Sequence, residues 1–183
     1  MFVQQILYFS MKLKGMIDVL KESLSQQFGA SIKMLENAIS MWPEEYWETD
    51  KKYFYMAYHT LIFLDYYSTV PAKLFSSPLP FTLTENGTIP EDGIDDLLPD
   101  RFYTKQELLG YLQDSREKVG KVISNLKDDL QERWVEVDDD RNYMVIELLM
   151  YNMRHVQHHA AQLNMMLRQR VNNAPKWVSR AKI

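Results

Sequence analysis

The stretch Asn152-Met-Arg-His-Val-Gln-His-His-Ala-Ala-Gln162 decides how the whole chain is read. Three of the chain's four histidines fall here, at positions 155, 158 and 159. His155 and His159 are one helical turn apart. In an α-helix four residues advance the chain by about 6 Å and about 400°, so both imidazoles project from one face. A helix holds two nitrogen ligands on one metal ion by this spacing. The fourth histidine, His59, lies on a distant apolar segment and is a candidate third ligand.

At about 100° per residue, Leu148, Asn152, His155, His159, Gln162 and Met166 fall within a stripe about 80° wide. The stripe begins and ends apolar and carries four polar residues in its middle, the pattern of an inward face with a site on it. His158 points about 80° from the midline of the pair, which sets it aside as a non-ligand. These residues belong to a helix predicted over 142–171. A charged turn, Asp138-Asp-Asp-Arg141, precedes it with acids placed to cap it. Pro175 ends it, with Trp177 in position to fold back onto the body.

Working outward, a first long helix is expected over 15–42, where Ile17, Leu20, Leu24, Phe28, Ile32, Leu35 and Ile39 recur at three- and four-residue spacing. Gly29 weakens its middle slightly, and Pro43 ends it. Residues 1–14 read as an N-terminal extension, with Met11 and Met16 as alternative starts, and 15–183 as a single domain. Trp42-Pro-Glu-Glu-Tyr-Trp47 reads as a short turn or broken helix that packs its indoles over the body. A second helix spans 50–69 with Asp50 as N-cap. His59 shares its face with Met56, Ile62, Phe63 and Tyr66, so it sits on an apolar, buried stripe.

Residues 70–103 break the pattern. Five of the chain's seven prolines and the Asn86-Gly87 and Asp92-Gly93 turns fall there, with six acids between Glu85 and Asp100. A long irregular segment inside a compact domain suits a crossover between two parallel helices. A hinge between two domains is the competing reading, though neither half looks able to close its own core. Thr104-Lys-Gln-Glu107 has the capping-box pattern and opens a third helix that ends before Trp134. The pattern as a whole predicts an all-α fold.

Composition sets limits. Hydrophobic residues make up 46% and charged residues 25%, with a net charge of -4 and no basic stripe, which argues against nucleic-acid binding. The absence of cysteine excludes disulfides, thiolate nucleophiles and cysteine-ligated zinc, and agrees with a cytoplasmic location. No apolar run approaches the length of a membrane span, so no membrane partner is expected.

Neutral imidazole is a ligand for zinc, nickel, iron and manganese. Three protein ligands with open positions describe a catalytic ion rather than a closed structural one. A water bound there has a lowered pKa and serves as base or nucleophile. Ligating histidines usually donate their second N–H to a supporting acceptor, and Asn152, Gln162, Tyr66 and Glu147 are the candidates. Each feature has a plainer reading. His59 reads equally as a hydrogen-bonded core histidine, the pair as surface or packing residues, and the acidic run over 85–100 as a solvated loop. Other chemistries find no support: the chain has no Glu-x-x-His, His-Glu-x-x-His or Gly-x-Ser-x-Gly, and no P-loop or dinucleotide fingerprint.

A histidine late in the second helix, a long crossover, and His155-x-x-His158-His159-x-x-Gln162-Leu163 on the last helix together resemble the DinB/YfiT-like superfamily, from about residue 16 to Trp177. Ala160-Ala161 stands where that family's motif typically reads Arg-Gly. The resemblance implies a four-helix bundle of up-down-down-up topology with a long crossover between helices 2 and 3. It implies His59, His155 and His159 as a metal triad, and family members are often homodimers; zinc or nickel is the expected ion. Several relatives are transferases or isomerases that use low-molecular-weight thiols, the thiol being a cosubstrate bound at the metal. The function it implies is a metal-dependent thiol transferase or hydrolase acting on a small molecule, with metal-bound water or thiol as the reacting group. The alternative is a non-catalytic dimeric metal-binding or stress-response protein.

Overall fold

The computed structural model describes residues 2–136 and 141–183, with side chains over 15–85, 87–136 and 141–183. The first helix, α1, runs from Phe2 to Met41, so the helix predicted over 15–42 begins earlier. Leu24, Phe28, Ile32, Leu35 and Ile39 are all buried, as their spacing requires. Pro43 ends the helix, and a single 3-10 turn over Glu44–Tyr46 follows. Trp42 stacks on Tyr53 with ring centroids 3.7 Å apart, and the Trp47 indole N–H donates to the Tyr103 carbonyl at 2.8 Å. Both indoles are buried.

Helix α2 spans Lys51–Tyr66, with the Asp50 carboxylate accepting from the Tyr53 N–H at 3.1 Å. It stops short of the predicted Thr69. The hydroxyls of Ser68 and Thr69 donate back to the carbonyls of Leu64 and Asp65, at 2.7 and 2.9 Å, and compete with the continuing helix ladder. Most of α2 is buried, which makes it the central element. Helix α3, Lys105–Asn125, opens with the capping box formed by Thr104 and Glu107. Helix α4 spans Val145–Val171 and ends with Asn172 in the left-handed conformation, at φ 53°. Helix α1 packs against α3 and α4, and α2 packs against the same two.

Two small antiparallel sheets complete the molecule. In the crossover, β1 (Phe81–Leu83) pairs with β2 (Leu97–Pro99), placing Thr82 opposite Leu98. After α3, β3 (Arg133–Val135) pairs with β4 (Asn142–Met144), placing Trp134 opposite Tyr143. The expectation of an all-α four-helix bundle is therefore corrected: among the described residues the fold is mixed, four α-helices with two two-stranded sheets. Each strand is three residues long, too short to show an alternating pattern, and Pro99 argues against a ladder at its own position.

The third helix, predicted to end before Trp134, ends at Asn125, and the chain then turns into the β3–β4 hairpin. Trp134 is fully buried there and donates from its indole to the Thr69 carbonyl at 3.0 Å. The last helix, predicted from 142, starts at Val145 because 142–144 form β4. Of the acidic turn expected before it, Asp138, Asp139 and Asp140 lie outside the described residues. The N-cap of α4, Met144, makes no side-chain cap bond.

Trp177 is 71% exposed rather than folded back. The last residues instead lie along α1, where Ala181 donates its N–H to the Gln26 carbonyl at 3.2 Å. A Cβ on Gly29 would collide with the Ala181 carbonyl. Gly29 is thus the notch that admits the C-terminal segment, a role beyond its effect on helix propensity.

Candidate metal centre

The contact between α2 and α4 brings His59, His155 and His159 together. One ring nitrogen from each lies within 4.8 Å of the others, close enough for the three to hold a metal ion. The Nε2 atoms of His59 and His155 are 3.1 Å apart. Two nitrogens each about 2.0 Å from one tetrahedral ion sit about 3.3 Å apart, so the observed spacing fits a shared ion. The ring centroids lie 4.6 to 5.1 Å from one another. His59 and His159 are buried and His155 is half-buried.

The far side of each ring differs. His159 donates from Nδ1 to the Gln162 side-chain carbonyl at 2.7 Å. His59 donates from Nδ1 to the Asp95 carboxylate at 2.8 Å. With the proton on Nδ1, each of these two rings keeps its Nε2 lone pair for the centre. His155 Nδ1 is buried and makes no hydrogen bond among the described residues.

Apolar rings close one side. Phe63 lies 4.7 Å from His59 and 5.7 Å from His155, and Tyr67 lies 6.3 Å from His155, between centroids. Burial pushes the pKa of His155 down from 6.5 to about 3, helped by the neighbouring His159 and His59. Burial, with His59, likewise pushes His159 down to about 4. Both therefore stand neutral at physiological pH, which is the ligating form. Burial raises Asp95, but the His59 hydrogen bond and charge and the Leu97 N–H more than offset it, so its pKa lies below the ordinary value. The donor set thus fits a divalent ion in chemistry and spacing.

The other candidates sort by position. Gln162 supports His159 directly. The Asn152 amide donates instead to the Leu64 carbonyl at 3.0 Å and to the Ser68 hydroxyl at 3.1 Å, so it clamps α4 to α2 and reaches no histidine. The Tyr66 hydroxyl donates to Glu136 at 3.3 Å. Glu147 and His158 are exposed. Asp95 was hidden in the acidic run over 85–100 expected to be a solvated loop. No spacing distinguishes it from Asp96 beside it, and only the hairpin turns it inward.

A cavity of about 550 Å³ opens beside His155, lined also by Tyr151, Arg154, Gln157, His158 and Ala161. A second, of about 370 Å³, lies between Ser68–Val70 and the α3 residues Lys118–Asn125 and touches none of the three histidines. Among the described residues no helix is long and apolar enough to cross a membrane. Comparison with protein-family models, curated proteins and solved structures finds no match.

Proposed function

We propose that His59, His155 and His159 hold one divalent ion, zinc or nickel, and that the protein is a metal-dependent enzyme acting on a small molecule, a thiol-dependent transferase or a hydrolase. The observation that carries this reading is the convergence of three imidazoles, two of them with Nδ1 already bonded to an acceptor. The motif resemblance to the DinB/YfiT-like superfamily supports it and suggests a homodimer. Ala160 stands where that family's motif carries arginine and is fully buried, so no substrate contact passes through that position here.

A divalent ion in this site would polarise a bound group and lower the pKa of a thiol or water. The chain's own residues do the rest. Gln162 and Asp95 hold the His159 and His59 rings with their lone pairs inward. Phe63 and Tyr67 keep water from the α2 side of the site. The cavity beside His155 leaves that ring's side open to a small molecule, with the Tyr151 phenol and the Arg154 guanidinium at its wall.

The reading is tested by assaying the protein, with and without zinc or nickel, for consumption of bacillithiol, glutathione or coenzyme A and for hydrolysis, against a panel of small electrophiles. Turnover that requires metal and is lost in His59→Ala supports the enzyme. Stoichiometric metal with no turnover across the panel supports the non-catalytic alternative.

A further inference from the structure

We propose that Asp95 is a positioning residue for His59, delivered by the β1–β2 hairpin to fix that ring with its proton on Nδ1 and its Nε2 lone pair turned toward His155 and His159. The inference rests on the triad as a metal site and extends it to the crossover, a segment otherwise without a role.

The Asp95 carboxylate is held at both oxygens. Oδ1 accepts from the Leu97 N–H at 3.1 Å, and Oδ2 accepts from His59 Nδ1 at 2.8 Å. Leu97 is the first residue of β2, so the carboxylate is pinned to the edge of the sheet. Strand β2 in turn packs on α2, the helix that carries His59. The place of the carboxylate is therefore set by strand pairing and not by the side chain's own freedom. The neighbouring acid is used differently: Asp96 accepts from the Thr84 N–H through its backbone carbonyl at 2.8 Å.

The three rings are not equivalent in this respect. His159 leans on a neutral amide, and His155 Nδ1 has no acceptor among the described residues. Among the described residues only His59 has a carboxylate partner. An ionised carboxylate accepts only, so it cannot present a proton to Nδ1 and holds the ring in one tautomer. It also raises the ring's basicity toward a cation, and losing such a partner typically weakens metal binding by about 10- to 100-fold.

Two readouts test this on the full chain near neutral pH: the tautomer of the His59 ring in metal-free protein, from its imidazole nitrogen NMR shifts, and zinc affinity by competition with a chromophoric chelator. The wild type is expected to show the Nδ1–H form. Asp95→Ala should lose that preference and bind zinc about 10- to 100-fold more weakly, and Asp95→Asn, which keeps the shape and loses the charge, about tenfold more weakly. An unchanged His59 tautomer in Asp95→Ala, with unchanged zinc affinity in both variants, overturns the assignment. If the wild type binds no zinc, the triad reading fails by itself. The ring tautomer then decides the Asp95 assignment alone, and an Nδ1–H form that persists in Asp95→Ala overturns it.

Discussion

His59 and His155 are 96 residues apart in the chain, on different helices, and place their Nε2 atoms 3.1 Å apart. Such an approach brings two lone pairs together unless a proton or a cation lies between them. Phe63 and Tyr67 close one side of the pair, and the cavity beside His155 leaves the other side open. Burial, with the neighbouring His159 and His59, lowers the pKa of His155 to about 3, so its ring meets His59 in the neutral form. An N–H···N bond from one ring to the other relieves that approach in the metal-free protein, and a shared cation would relieve it in the loaded one.

His158 and His159 are adjacent in sequence and differ in placement, the first exposed and the second buried in the cluster. His158→Ala should leave zinc stoichiometry and affinity unchanged, because its ring is exposed and lies outside the cluster. His159→Ala should lose most of the bound metal. Elemental analysis of the two variants after gel filtration checks this, and equal losses would remove the distinction between them.

Acid should destabilise the metal-free protein. His155 and His159 have folded pKa values near 3 and 4, below the ordinary 6.5, so between these values the unfolded chain binds more protons. Their contribution is intact above about pH 6.5 and declines as pH falls toward the folded values. Urea unfolding of chelator-treated protein should show a midpoint that falls steadily from pH 7 to pH 4. A midpoint insensitive to pH over that range would mean that the two rings are not buried neutral.

Asn152→Ala should destabilise the fold without emptying the site. It removes two hydrogen bonds from α4, one to Leu64 of α2 and one to Ser68 just beyond that helix, at a fully buried position, with an expected cost of about 1–3 kcal/mol. Zinc stoichiometry should stay at the wild-type level. Loss of metal with unchanged urea stability would place Asn152 in the site after all.

Gly29→Ala sets two effects against each other. Helix propensity alone favours alanine by about 1 kcal/mol. The added Cβ meets the Ala181 carbonyl, so the C-terminal segment has to move. Hydrogen exchange of the Ala181 amide, which donates to Gln26, should speed up markedly in the variant. Unchanged protection would show that the segment does not depend on the notch.

Much of this was legible in the sequence, and what was not has physical causes. The helices carried their own punctuation: Asp50 caps α2, Thr104 and Glu107 box α3, and Pro43 closes α1. The stripe on α4 placed His155, His159 and Gln162 on one face, and the structure brings all three to one centre. It also placed Asn152 there, where helical phase gives direction without naming the partner, and Leu64 of α2 and Ser68 just beyond its end take it. The strands left no trace because three-residue ladders have no period to read. For that reason Trp134, the middle residue of β3, reads in the sequence only as a point before which α3 ends. Asp95 was illegible for a related one: its inward turn follows from pairing between residues of the crossover that lie far apart in sequence.

The central claim is that three histidines form one metal site, and titration of chelator-stripped protein with zinc, followed by competition with a chromophoric chelator, tests it most directly. The account predicts one ion per chain in the wild type, a rise in melting temperature on binding, and loss of both in His59→Ala. Absence of stoichiometric binding, or binding of the same strength in His59→Ala, would contradict it.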